Sequence, residues 1–345
     1  MVAGKLNVGI VGASGFTGAE LLRLCAQHPH LEVVLATGDT QAGVRAAELY
    51  PSLAGAYRNL VFTPYDPAAC EGLDLVFLGL PHGAAQGIVP DLRKRVAALV
   101  DLSADFRLKD PSLYPTWYGE EHQQPALLEE FVFGLPELFR DQLEGASLVA
   151  APGCYVTAAS LALAPLLRLG LIDSTGIVVD AASGVSGAGR PAKATTSFCT
   201  VDEDFTAYGL LDHRHTPEIE QTIGAQVLFT PHLAPMNRGI LATCYARPAG
   251  TAAAPSTAAL LEALESFYAD EPFVIVSPGS PSTKATLGSN TAHVTARYDA
   301  RTGWVMVLCA LDNLVKGASG QALQCANIVL DLPETAGLPI VGVYP

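Results

Sequence analysis

Cys154 stands in Ala151-Pro152-Gly153-Cys154-Tyr155-Val156-Thr157, and an apolar run from Val156 to Leu169 follows it. A Pro-Gly turn ahead of a helical pattern places the thiol at or just before a helix N-terminus, where the helix dipole stabilises a thiolate. The chain has six other cysteines. Cys25, Cys244, Cys309 and Cys325 lie in apolar runs and read as small buried hydrophobes, while Cys70 and Cys199 have more polar surroundings and no activating neighbour. A nucleophilic thiol needs a base, and His213-Arg214-His215 precedes Thr216-Pro217-Glu218. Thr216 reads as an N-cap and Pro217 as the first helical residue. In an extended approach His213 and His215 share one face and Arg214 points away. Surface histidines, or half of a zinc site lacking further ligands, are the competing readings, and the cysteine tips the balance toward catalysis. His213 is the expected base, because His215 abuts the helix entry and is the more constrained of the two.

Three further segments suit anions. Gly12-Ala13-Ser14-Gly15-Phe16-Thr17-Gly18 lies between an apolar strand and a helical pattern, so the amides around Ser14, Phe16 and Thr17 can approach a pyrophosphate without side chains intervening. After the second strand, Asp39 suits the ribose 2′-hydroxyl of NAD, whereas Arg45 suits the 2′-phosphate of NADP. Arg107, at the end of Asp101-Leu102-Ser103-Ala104-Asp105-Phe106-Arg107, either forks onto a phosphate or pairs with Asp105 or Asp110. The segment from Ser183 to Lys193 is glycine-rich, carries Arg190 and Lys193, and reads as a flexible loop offering a second anion contact.

The elements that must hold these groups alternate. Strand, glycine turn, helix and strand fill the first forty residues, with strand-like runs at 74–80 and 97–102 flanking a helix-like 83–95. This predicts an α/β chain with a Rossmann-type, doubly wound dinucleotide-binding domain over 1–152. Longer strand-like runs at 176–181, 227–232 and 239–247, with a hairpin of 291–298 and 304–311, predict an α+β substrate domain with a mixed sheet over 153–312. A C-terminal helix and tail, 313–345, are expected to return to the first domain. The uncharged stretch 145–167 is long enough for a bilayer, but Pro152, Gly153 and Pro165 interrupt it, so it reads as strand, turn and buried helix. The Ala/Pro/Thr stretch at 248–258 is the one candidate linker.

Of the 345 residues, half are hydrophobic and 16% charged, the profile of a folded enzyme with two cores. A net charge of −14, from 20 basic against 34 acidic side chains, argues against nucleic acid and requires locally placed cations for any anionic substrate. Seven scattered cysteines without metal spacing, and no cleavage signal near the start, predict a reduced, cytoplasmic protein with no membrane segment and no metal.

Eight motifs in order resemble one family: the glycine loop, Leu80-Pro81-His82-Gly83, Asp101 to Arg107, Pro152-Gly153-Cys154-Tyr155, Ser183 to Arg190, His213 to Glu218, Pro235-Met236-Asn237-Arg238-Gly239, and Asp312-Asn313-Leu314-Val315-Lys316-Gly317. From about residue 7 onward the chain is similar to the N-acetyl-gamma-glutamyl-phosphate reductases of arginine biosynthesis. That resemblance implies NADPH-dependent reduction of an acyl phosphate to an aldehyde, with phosphate release, by a homodimer or homotetramer. It implies Cys154 as nucleophile, the histidine pair as base region, and Arg107, Ser183, Arg190 and Glu218 as substrate contacts. Cofactor contacts are implied at Gly12, Ser14, Gly15, Phe16, Thr17, Gly18, Arg45, Pro81, Ser186, Gly187 and Asn313, the last near the nicotinamide carboxamide. At Gly38-Asp39 the chain departs from the pattern, where a 2′-phosphate contact is expected. Carrier-dependent reductases of lysine biosynthesis and aspartate-semialdehyde dehydrogenases are the related alternatives; Tyr155 and Arg190 favour the arginine enzyme. A nucleotide-sensing protein without chemistry leaves Cys154 and the two histidines unexplained.

Overall fold

A computed structural model describes residues 4–250 and 255–345; residues 251–254, within the expected linker, lie outside the described residues. By its contacts the chain divides into two units.

The first unit comprises the chain up to Pro115, Glu120–Pro152 and Ala318–Leu338. Its six strands are β1 (Leu6–Val11), β2 (Leu31–Ala36), β3 (Leu75–Leu78), β4 (Ala98–Asp101), β5 (Val132–Phe133) and β6 (Leu148–Ala150). They form one parallel sheet in the order β2-β1-β3-β4-β6-β5. β3 and β4 are wholly buried, as a sheet covered on both faces requires. The order reverses at β1, and in sheets of this type the carboxyl ends of the strands at such a switch point are where ligands bind. Helices Phe16–Cys25 and Ala84–Leu92 cross between strands, and helix Gly320–Val329 returns to pack near β4 and Phe16–Cys25.

The second unit comprises Thr116–Gly119, Gly153–Gly317 and Pro339–Pro345. Its strands are β7 (Ile177–Gly184), β8 (Thr206–Ala207), β9 (Val227–Ala234), β10 (Ile240–Ala246), β11 (Val274–Val276), β12 (Ala292–Asp299) and β13 (Trp304–Leu311), in a mixed sheet of order β11-β12-β13-β10-β7-β9-β8. The expected hairpin is β12 with β13, paired from Ala292 with Leu311 to Asp299 with Trp304. Alternate residues of β7 and β10 are buried, which marks one face as core. On that face lies helix Cys154–Arg168, buried from Tyr155 through Leu166, flanked by helices His215–Ile223 and Thr257–Phe267.

The units differ from the expected boundaries in three places, each for a hydrogen-bonding reason. Residues 116–119 join the second unit, where the Tyr118 hydroxyl donates to Glu218. Asn313–Gly317 stay there too, because Asn313 accepts from the Gly239 amide and Gly317 donates to the Asp312 carbonyl. Pro339–Pro345 end on the second unit through Asn290 N–H to the Pro339 carbonyl and Val343 N–H to the Leu287 carbonyl.

Candidate active site

Cys154 is the first residue of helix Cys154–Arg168, and Gly153 is an N-cap with no side chain to occupy the leading amides. The thiol therefore sits in the positive end of an uncapped helix. It is partly exposed, whereas Cys25, Cys70, Cys244, Cys309 and Cys325 are buried and Cys199 is exposed. Burial pushes the Cys25 thiol up to about 12, which keeps it protonated and inert. The backbone around Cys154 is unusually close to its neighbours. A Cβ on Gly153 would fall 2.3 Å from Nε2 of His215, and one on Gly317 would fall 2.8 Å from Cβ of Cys154. Gly153 has an ordinary φ of −67°, so glycine is required there for the approach of the imidazole and not for backbone conformation.

The two histidines differ in what they touch. The His215 ring packs on the residue immediately before Cys154. His213 instead accepts the His215 amide at Nδ1 (3.1 Å) and sits edge-on among Tyr155, Tyr208 and Phe229, with ring centroids 5.3–5.7 Å away. Burial, reinforced by His215, pushes the His213 imidazole down to about 3, so it is neutral at physiological pH. The helix starts at His215, with Arg214 as its N-cap, so Thr216 and Pro217 are inside the first turn and not at its entry. The two rings do lie together, 4.8 Å apart, but across a helix start and not along an extended segment. Arg214 does not point away: it lines the same cleft, with its guanidinium 5.4 Å from the Tyr118 ring centroid.

The cleft, about 1010 Å³, is lined by Cys154, Tyr155, Ser183, Gly187, His213 and His215, together with Trp117, Lys193, Tyr208 and Arg214. Asp204 and Asp212 also line it, so its two cations are partly offset. Lys193 is on this wall and Arg190 is not. Ser183 is buried and donates to the Gly184 carbonyl (3.1 Å). The start of the glycine-rich segment is tied down, contrary to the expected flexible loop: Val185 and Ser186 amides donate to Met236 and Asn237 carbonyls, and the Ser186 hydroxyl accepts from Asn313 Nδ2 (2.9 Å). Asn313 thus uses Nδ2 on Ser186 and Oδ1 on Gly239 N–H (2.8 Å). Glu218 is fully buried, outside the cleft wall, and accepts from the Gly153 amide (3.1 Å) and the Tyr118 hydroxyl (3.4 Å). Tyr118 and Tyr208 carried no local signal, because each matters through a partner distant in sequence, Glu218 for the first and Tyr155 for the second.

In the first unit the three loop glycines have separate reasons. Gly12 adopts φ +89°, and a Cβ there would strike the Gly79 carbonyl at 2.4 Å; one on Gly18 would strike Ala13 at 2.4 Å. A Cβ on Gly15 would meet only the Gly12 carbonyl at 3.6 Å, so this N-cap faces open space and leaves the first-turn amides of Phe16, Thr17 and Gly18 without a side-chain cap. Tight turn, open approach and helix-to-strand packing are the three glycine roles of a dinucleotide loop. The Ser14 hydroxyl donates to the Gly38 carbonyl (3.3 Å). Arg45 pairs with Glu48, its Nε donating at 2.9 Å, and Asp39 opens a short 3-10 turn at φ +38°. Pro81 is exposed beside His82, whose Nδ1 lies 2.7 Å from Asp105. Asp105 also accepts from the Gly83, Ala85 and Gln86 amides, and Asp110 accepts from the Ser112 amide. Arg107 itself is buried and donates from Nη2 to the Leu102 carbonyl (2.7 Å).

Residues 7–146 match the semialdehyde dehydrogenase NAD binding domain family, and residues 154–313 match the semialdehyde dehydrogenase dimerisation domain family. The structure is similar to aspartate semialdehyde dehydrogenase II of Vibrio cholerae, with TM-score 0.71 at 15% identity, covering 95% of this chain and 99% of that one. At that identity the likeness concerns the fold. In sequence the chain is 48% identical to the N-acetyl-gamma-glutamyl-phosphate reductase of Symbiobacterium thermophilum, over 99% of both chains. It is also 48% identical to that of Desulforudis audaxviator, over 99% of this chain and all of the relative. With two domain families matched in order and identity sustained from end to end, the chain belongs to the N-acetyl-gamma-glutamyl-phosphate reductase family.

Proposed function

We propose that this chain reduces N-acetyl-L-glutamyl 5-phosphate to N-acetyl-L-glutamate 5-semialdehyde, using NADPH and releasing phosphate, through a thioester on Cys154. The observation that carries the reading is the His215 ring packed on Gly153, beside a thiol at an uncapped helix start. It supports His215, and not the expected His213, as the base. His215 takes the Cys154 proton, and the thiolate attacks the acyl carbon. A C–S bond forms, the C–O bond to phosphate breaks, and the departing phosphate takes the bonding pair. The Cys154 backbone N–H is placed to meet the developing oxyanion. When bound, the dihydronicotinamide supplies the hydride that reduces the thioester carbonyl. The thiohemiacetal on Cys154 then collapses to the aldehyde, expelling the sulfur as a thiolate that the imidazolium stabilises.

The dinucleotide fits the first unit through the open Gly15 and the amides after it, with Gly12 and Gly18 as packing glycines. NADPH is the preferred form, with Arg45 exchanging Glu48 for the 2′-phosphate. Lys193 and Arg214 supply positive charge to the substrate cleft. Seven free cysteines suit a cytoplasmic setting, and no described helix is long and apolar enough to cross a membrane. A homodimer formed through residues of the 154–313 domain is the assembly we propose.

The test is phosphate-dependent reduction of NADP⁺ by N-acetylglutamate semialdehyde, run beside the carrier-bound and aspartate analogues. Turnover with the free N-acetylated substrate is expected. Activity confined to a carrier-bound substrate would reject the assignment.

A further inference from the structure

Glu218 is a carboxylate with no exposed surface, at the fourth position of the helix that begins with His215. The oxygens of a buried carboxyl group need hydrogen-bond donors, and these include an amide and a hydroxyl. The Gly153 amide donates to Oε2 at 3.1 Å, and the Tyr118 hydroxyl donates to Oε1 at 3.4 Å. Residues three apart on a helix share a face. One face of this helix therefore makes two contacts with the same glycine: the His215 ring lies on its Cα, and the Glu218 carboxylate holds its N–H. Gly153 in turn is the N-cap of the helix that Cys154 begins.

We propose that Glu218 and Tyr118 are positioning residues: the carboxylate registers the base-bearing helix against the peptide that precedes the nucleophile, and the Tyr118 hydroxyl holds its second oxygen. This assignment replaces a substrate contact for Glu218 and rests on the reading of Cys154 as nucleophile and His215 as base. Arg214 over Tyr118, His213 beside His215, Tyr155 beside both imidazoles and Asp212 near His213 are further titratable or charged groups around the arrangement. Loss of the carboxylate frees the Gly153 peptide, so the thiol and imidazole no longer hold their mutual geometry. A misplacement of about 1 Å at reacting groups costs roughly a hundredfold in rate.

The experiment compares Glu218→Ala, Glu218→Gln and Tyr118→Phe in a Cys199→Ser background, which removes the exposed thiol. Iodoacetamide alkylation of Cys154 is followed by mass spectrometry between about pH 5 and 9, the range in which an imidazole partner titrates, alongside steady-state kinetics with N-acetylglutamate semialdehyde. Glu218→Ala is expected to slow alkylation at neutral pH by about tenfold and kcat by about a hundredfold, with KM held within about threefold. Glu218→Gln, which keeps the shape and an acceptor, should recover most of both, and Tyr118→Phe should lose about three- to tenfold in kcat. Should Glu218→Ala fail to fold, the Gln and Phe variants decide by the same readouts. A raised KM with a wild-type alkylation profile would make Glu218 a substrate contact and overturn the proposal. So would a lowered melting temperature with kcat and the alkylation profile unchanged. Alkylation needs no acyl substrate, so a wrong substrate assignment would silence turnover in the unsubstituted enzyme and leave the alkylation comparison to decide.

Discussion

Two helices of this chain begin alike: Phe16–Cys25 follows Gly15, Cys154–Arg168 follows Gly153, and neither N-cap has a side chain to satisfy the leading amides. Their surroundings differ. A Cβ on Gly15 would enter open space, while a Cβ on Gly153 would enter the His215 ring. The same local device thus has two uses. At Gly15 the positive helix end is open, and in the function proposed above it takes an anion from outside; at Gly153 it faces the protein's own thiol while an imidazole occupies the approach. A glycine before a helix reports only that something must come close; what comes close is supplied from elsewhere in the fold.

Substitutions can separate the two uses. The largest effect is expected at Cys154→Ser, which should lower turnover by at least ~10⁴-fold while leaving NADPH binding, followed by fluorescence titration, at the wild-type value. Substantial residual turnover would sink the covalent route. Next, His215→Asn should cost roughly two to four orders of magnitude in kcat, with His213→Asn costing less. The opposite ranking would restore His213 as the base. Gly153→Ala should then cost about a hundredfold in kcat by driving the imidazole off its seat, with little change in the KM for NADPH. Gly15→Ala should act the other way, raising the KM for NADPH at nearly constant kcat; identical kinetic signatures for the two alanine variants would dissolve the contrast drawn here.

The smallest effect concerns stability. Burial holds His213 at about 3, against an ordinary value near 6.5, so between those values the unfolded chain binds a proton that the folded chain refuses. Stability should therefore fall as pH drops below about 6.5, by up to about 1.4 kcal/mol per pH unit from this group alone. Urea melts of wild type and His213→Gln at pH 7.5 and 5 (both conditions approximate, chosen about the imidazole range) should show a shallower loss in the variant. Equal losses would mean that His213 is not the buried neutral imidazole described.

Sequence by itself determined the elements whose cues are local. The period-two and apolar runs of β1, β3, β4, β7, β9, β10 and the β12–β13 hairpin were legible, as were the strand-glycine-helix start of the first unit and the Pro-Gly turn that seats Cys154 on a helix. Short or weakly patterned pieces were not: β8 has two residues and gains its identity only by pairing with β9, and β11 has three and does so by pairing with β12. The residue types of the candidate site were readable for the same local reason, but their placement was not. Which histidine packs on Gly153, the residue before Cys154, depends on a helix that starts at His215 and not two residues later, and on a glycine whose missing Cβ admits the ring. The resemblance implies a substrate contact at Glu218, and the carboxylate is found on the Gly153 amide, a partner 65 residues away in the chain. Arg214 looked outward until the helix start turned it into the cleft. Side-chain direction follows from packing between segments far apart in the chain, and one residue of register at a helix start rotates everything on it by about 100°. That rotation is set by tertiary contacts, which is why only the folded structure could decide it.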